Sequence, residues 1–193
     1  METKRCAECG TTMVTVRADA KFCTTKCRVY HHRNRAKLPA ELTEQPRWVR
    51  WKPVLRRGKV TKVPLRIDGS AASSTDASTW SSHAAAASAT TGSGVGFVLG
   101  LGIGCIDLDH CLDGDVVAPW AQSILDANPS TYVEVSVSGT GLHVFGLLEE
   151  APGRKIRDGR NVEVYSRGRY IVVTGQRHGS APRTLAPLVV PSK

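Results

Sequence analysis

Apolar and polar residues alternate in short runs through most of the chain, and glycines punctuate them. RWVRWKPVLRRGKVTKVPLRI (47–67) reads as two short strands. Trp48, Val49 and Trp51 begin the first, Val60, Val63, Leu65 and Ile67 carry the second, and the turn RRG (56–58) joins them. VGFVLGLGIGCIDLD (95–109) reads as two buried strands joined at the glycines. STYVEVSVSGTGLHVFG (130–146) is a strand, a glycine turn and a strand, and NVEVYSRGRYIVVTG (161–175) predicts a second such hairpin. Helical spacing occurs in two places. Trp80, Ala84 and Ala87 recur at i, i+4, i+7, with Asp76 or Ser78 as cap, and predict a short helix over 79–89. VVAPWAQSILDAN (116–128) predicts another, with Pro119 in its first turn and Trp120, Ile124 and Leu125 inward. Strands with two intervening helices predict an α+β sheet.

The N-terminal third is different in charge. Residues 1–66 carry 17 Lys+Arg and 5 Asp+Glu, a balance of +12, whereas residues 67–193 carry 9 and 12, a balance of −3. A basic third of this kind points to a polyanion partner, nucleic acid first. CRVYHHRNRAK (27–37) places Arg28, Arg33, Arg35 and Lys37 at helical spacing beside Tyr30, a face suited to phosphates and base stacking. Lys52, Arg57, Lys59, Lys62 and Arg66 decorate the 47–67 hairpin, either as a solvated face or as a contact with nucleotide or template. No apolar run approaches the roughly 20 residues that cross a bilayer. METKRCAECG lacks the apolar core of a signal peptide. The expectation is a cytoplasmic protein without a membrane partner.

In a reducing compartment, clustered thiols read as metal ligands before disulfides. Cys6, Cys9, Cys23 and Cys27 are spaced C-x2-C-x13-C-x3-C. Each close pair can present two sulfurs to one ion, and four thiolates at tetrahedral corners suit Zn²⁺. His31 and His32 follow at zinc-finger spacing but belong more naturally to the basic segment. LPAELTEQP, between Leu38 and Pro46, reads as a linker, which divides the chain into a zinc-binding module with a basic helix (1–40) and a main domain (41–193).

GIGCIDLDHC (102–111) concentrates the chemistry. In a strand, Ile106 and Leu108 point one way and Asp107 and Asp109 the other, about 7 Å apart along the strand. Two such carboxylates can converge on a divalent cation. The calcium-loop pattern fails, because its fifth and sixth positions are Cys111 and Leu112. Asp113 and Asp115 suit an acidic turn better, and Cys105 and Cys111 read as buried thiols. SGTGLH (138–143) adds Ser138 and His143, with glycines that let backbone N–H groups approach an anion. VEVY (162–165) supplies Glu163 as a third acid, with Glu134 in YVEVS as its rival. No Walker-type phosphate loop and no dinucleotide fingerprint occurs.

IDLDHC, SGTGLHVF and VEVYSRGRYIVVTG, in this order and behind RWVRWK…GKVTKVPL, resemble the catalytic motifs of the archaeo-eukaryotic primase superfamily. The nearer likeness is to the primase-polymerase domain of phage and plasmid replication proteins, over roughly residues 44–176. The resemblance implies an RRM-like antiparallel sheet with flanking helices. It also implies template-directed nucleotidyl transfer on single-stranded DNA with NTP or dNTP substrates. It assigns Asp107, Asp109 and Glu163 to two Mg²⁺ or Mn²⁺ ions, and Ser138 and His143 to the triphosphate. Glu163 stands where many relatives have Asp. Charge and proximity to the motifs add Arg169 and Lys62 as nucleotide contacts. Related replication proteins often continue into a helicase, so a separate helicase is a candidate partner. Two rival readings are an inactive nucleic-acid-binding replication protein and a metal-dependent nuclease.

Overall fold

In the computed structural model of the chain, residues 4–6, 11–13, 19–34, 38–56 and 58–192 are described. Two minimal strands, β1 (Lys4–Arg5) and β2 (Thr12–Met13), pair antiparallel ahead of helix α1 (Thr25–Asn34). The stretch expected as a linker is not a bare one. It folds as helix α2 (Ala40–Thr43), and its Leu42 is fully buried in the main core. The indole N–H of Trp48 donates to the Leu42 carbonyl at 3.0 Å, which ties the helix to the next strand.

The 47–67 alternation folds as the expected hairpin of β3 (Trp48–Arg56) and β4 (Lys59–Leu65). Helix α3 (His83–Ser88) is shorter than the predicted 79–89. The reason is local: Ser82 caps it by accepting the Ala85 N–H at 3.2 Å. Asp76 instead caps a separate 3₁₀ turn, Ala77–Thr79. Trp80 stays outside the helix, beneath the Arg47 guanidinium at 4.4 Å. Strands β5 (Gly94–Val98) and β6 (Ile103–Leu108) follow, then a small ribbon of β7 (Leu112–Asp113) and β8 (Val116–Val117). That ribbon takes the first two residues of the predicted second helix, so α4 spans Pro119–Asp126. The remaining strands are β9 (Tyr132–Val135), β10 (Leu142–Leu147), β11 (Arg154–Ile156), β12 (Val162–Tyr165) and β13 (Tyr170–Val173).

These strands form two larger sheets, one of five in the order β11-β12-β6-β10-β9 and one of four in the order β13-β5-β3-β4. The paired strands are antiparallel throughout, and with the helices the class is α+β, as expected. The hairpin expected over 130–146 forms as β9 and β10. The one expected over 161–175 does not. β12 pairs with β6 in the five-stranded sheet, whereas β13 pairs with β5 in the other. The SRGR turn carries the chain between sheets instead of folding it back, and Gly168 there takes φ +65°, a value that costs glycine nothing.

The two sheets share one core. Trp48, Phe97, Ile171 and Val173 from the four-stranded sheet meet Ile103, Cys105, Tyr132 and Phe145 from the five-stranded one. On the other face of the five-stranded sheet, Ile106, Leu108, Val144 and Val162 pack against Ala121 and Ile124 of α4. The alternation of β6 therefore serves two cores at once, with even residues toward α4 and odd residues toward the second sheet. Among the described residues, no helix is long and apolar enough to cross a membrane.

Candidate active site

Strand register lines up the polar residues. Glu134 on β9 faces His143 on β10, His143 faces Asp107 on β6, Asp107 faces Glu163 on β12, and Glu163 faces Lys155 on β11. The result is one row of ionisable side chains running across all five strands. The row two residues back on the same face is Tyr132, Phe145, Cys105 and Tyr165, part of the core between the sheets or packed against it. The ionisable row thus lies immediately beyond an apolar row. Each glutamate receives the hydroxyl of the tyrosine two residues away on its own strand: Tyr132 to Glu134 at 3.1 Å and Tyr165 to Glu163 at 2.5 Å.

His143 sits between two carboxylates. Its Nδ1 lies 3.1 Å from Glu134 Oε1 and its Nε2 3.7 Å from Asp107 Oδ1. Asp107 keeps an 18 % exposed side chain and so opens to solvent. Burial raises its carboxyl above the ordinary carboxylate range; His143 and Lys62 oppose that shift, and Asp109 and Glu163 reinforce it. Asp109 follows β6 on the same face, and its N–H donates to the Asn161 carbonyl at 2.9 Å. Burial of a carboxylate beside two other acids is a cost that a bound divalent cation would relieve. Oxygen donors of this type suit Mg²⁺ or Mn²⁺.

Glu163 faces the other way in its bonding. Lys155 donates to it at 2.8 Å, Arg157 also donates to it, and Arg169 stands 4.0 Å away while stacking on the Tyr165 ring at 4.8 Å. Burial pushes its carboxyl up, but the hydrogen bonds from Lys155, Tyr165 and Arg157 and the Lys155 charge outweigh that and hold it below the ordinary range. The structure therefore brings Asp107, Asp109, Glu163, His143 and Lys62 to one neighbourhood without closing the three carboxylates on a single point. Ser138 is on the exposed β9–β10 turn, hydrogen-bonded to Ser136 at 2.9 Å and Thr140 at 3.0 Å, and next to Gly139 at φ +77°. It contacts neither His143 nor Asp107 in these hydrogen bonds.

Two residues of the site escaped sequence reading. Lys155 and Arg157 bind Glu163, and a signal for them was present: Asp158–Gly159 between short alternating runs marks a hairpin. Glu134, the rival third acid, lies on the far side of His143 from Asp107.

The cysteine cluster is separate. Cys6, Cys23 and Cys27 bring their sulfurs within 4.8 Å of one another, and the Cys23 N–H donates to Cys6 Sγ at 3.4 Å. Three converging thiols can hold a metal ion. Cys9, Arg35, Lys37 and Arg57 lie outside the described residues, as do the side chains of Tyr30, His31, His32 and Arg33. Cys105 and Cys111 are buried, as expected.

An acid–histidine row thus lies across adjacent strands of an antiparallel sheet in an α+β protein, with Lys155, Arg157 and Arg169 at the Glu163 end. The family model described as bifunctional DNA primase/polymerase, N-terminal, matches residues 28–190, and the chain belongs to that family. The chain is also similar to the DNA primase-polymerase of Nitratiruptor phage NrS-1, with 39% identity over 147 residues. That match takes in 70% of this chain and 20% of the relative, so the chain spans about a fifth of the relative it matches.

Proposed function

We propose that this chain is the catalytic domain of a DNA primase/polymerase that joins NTPs or dNTPs on a single-stranded DNA template. It acts in phage or plasmid replication in the cytoplasm of a bacterial host. The observation that carries the reading is the Glu163–Asp107–His143 row on three adjacent strands, found in a chain of the primase/polymerase family. The strand order β12-β6-β10-β9, with α4 between β6 and β9, supports an RRM-like catalytic sheet.

Asp107, Asp109 and Glu163 hold Mg²⁺ or Mn²⁺. When bound, the ions supply charge neutralisation at the attacking hydroxyl and the leaving pyrophosphate. His143 presents Nε2 to a triphosphate oxygen from beside Asp107, and Ser138 and the backbone N–H groups of its glycine turn offer further donors. Lys62 approaches Asp107 from the β3–β4 hairpin and adds positive charge. Lys155 and Arg157 hold Glu163 in this state. Both side chains are well exposed, and with Arg169 they would offer positive charge to phosphates beside a cation held there.

Cys6, Cys9, Cys23 and Cys27 hold one structural Zn²⁺ in a module over residues 1–40, with the catalytic domain over 41–193. Three convergent sulfurs, all ahead of the family match that begins at residue 28, support a zinc site outside the catalytic core. Purified protein should contain about one zinc per chain, and Cys23→Ser should lower its affinity. Unchanged zinc affinity in that variant refutes the four-thiolate site.

The deciding experiment supplies single-stranded DNA, labelled NTPs or dNTPs, and Mn²⁺ or Mg²⁺. Extended strands or new primers are the expected products. Shortened DNA would select a nuclease, and binding alone an inactive module.

A further inference from the structure

Glu134 is 0% exposed, the most deeply buried acid of the row. A buried carboxylate costs several kcal/mol unless its oxygens find donors. Glu134 has four. Its Oε1 accepts the Thr174 N–H at 3.0 Å and faces His143 Nδ1 at 3.1 Å. Its Oε2 accepts the Gly175 N–H at 2.9 Å and the Tyr132 hydroxyl at 3.1 Å. Two of these donors are backbone N–H groups that can do nothing but donate. Each oxygen already accepts from a donor-only N–H, the surroundings of a carboxylate, and a carboxylate so held takes the His143 contact as Nδ1–H donating to Oε1. The ring has little freedom to turn away, because Phe145 meets it edge-on at 6.1 Å between centroids. With Nδ1 committed, Nε2 is the nitrogen left facing Asp107 and the open end of the row.

We propose that Glu134 is the positioning residue of His143: its carboxylate holds Nδ1–H and so presents Nε2 to the triphosphate of a nucleotide bound at Asp107. The assignment of Nε2 to the triphosphate rests on the nucleotidyl-transfer reading; the assignment of the proton to Nδ1 does not. Glutamine at this position keeps the shape but has one acceptor oxygen for donors on both sides. Its NH₂ opposes a backbone N–H in either orientation, and where it turns toward His143 it favours the ring with its proton on Nε2.

Two measurements on the full chain test this. Long-range ¹H–¹⁵N correlation of His143 should show Nδ1 protonated in the wild type, and a gain of the Nε2–H tautomer in Glu134→Gln. A wild-type ring protonated on Nε2 alone overturns the proposal. Affinity for a non-hydrolysable deoxynucleoside triphosphate with Mn²⁺ should fall about 10- to 100-fold in Glu134→Gln, the range found when a metal-bound histidine loses its orienting partner. The affinity for single-stranded DNA should stay unchanged. In a His143→Ala background the same substitution should cost no more, since both act through one contact. Losses that add in full, or an unchanged nucleotide affinity, also overturn it. Should the glutamine variant fail to fold, Tyr132→Phe removes one donor and keeps the ring. It should weaken nucleotide binding by a smaller factor, and only where His143 is present. A wild type that extends no primer defeats the polymerase reading, while the ring correlation still decides the role of Glu134.

Discussion

Glu134 and Glu163 occupy matching places on either side of the Asp107–His143 pair, and each receives a tyrosine hydroxyl from two residues away. They differ in what else holds them. Glu134 is bound by the N–H groups of Thr174 and Gly175 and by a buried histidine. Glu163 is bound by Lys155 and Arg157, whose side chains are 59% and 42% exposed. Donors built into the backbone cannot leave, whereas Lys155 is tied only by its charge and Arg157 is also anchored to the Ile156 and Val162 carbonyls. One glutamate is therefore held by the fold itself and the other largely by side chains that reach solvent. The lesson is that the same residue type in the same row can be held in two ways, and the partners decide which.

The comparison can be broken most decisively at its centre. Asp107→Ala with Asp109→Ala should reduce nucleotide transfer by about 10³-fold or more, since several kcal/mol of charge stabilisation are lost, while DNA binding survives. Primer-extension assays and gel shifts read the two effects, and robust extension by the double variant would sink the assignment. Next in size, Glu134→Ala should destabilise the fold by about 3–5 kcal/mol, because buried donors lose their partner. Glu163→Ala should cost less, about 1–2 kcal/mol, because Glu163 is buried but Lys155 and Arg157 reach water once it is gone. Urea denaturation of the two variants side by side gives the contrast, and equal costs would erase the distinction between the two glutamates.

Smaller effects should appear in the pH dependence of stability without divalent ions. Asp107 titrates above its unfolded value, so its contribution is full below that value and is lost as pH rises through the folded one. Glu163 titrates below its unfolded value, so its contribution is present above that value and lost as pH falls through the folded one. Asp107→Asn should remove the first slope and Glu163→Gln the second, each visible in thermal melts across the acid range. Smallest of all, Lys62→Ala should weaken nucleotide affinity a few-fold in low salt and less in high salt, as expected of an exposed charge acting at a distance.

Much of this was legible before folding. The alternation of Ile106, Asp107, Leu108 and Asp109 fixes which residues share a face, because strand periodicity is a local property. The β9–β10 hairpin was readable for the same reason, its turn glycines lying between two alternating runs. The β12–β13 crossing was not readable. SRGR is compatible with a hairpin, but β6 and β11 occupy both edges of β12 and leave β13 to pair with β5. The role of Glu134 was hidden for a related reason. Its distinguishing partners are backbone groups 40 and 41 residues downstream, and backbone groups carry no sequence signal.

That last separation also governs when the site can exist. β6 finds its two neighbours only after β10 and β12 have been made, and Glu134 stays without its backbone donors until Thr174 and Gly175 arrive. Loop-closure entropy must be overcome before such distant pairings give anything back, which slows folding in chains rich in them. During synthesis, the acids on β6, β9 and β12 emerge one by one without a common surface. The row becomes a row only once nearly the whole domain has left the ribosome, so the last strand to arrive completes the site as well as the fold.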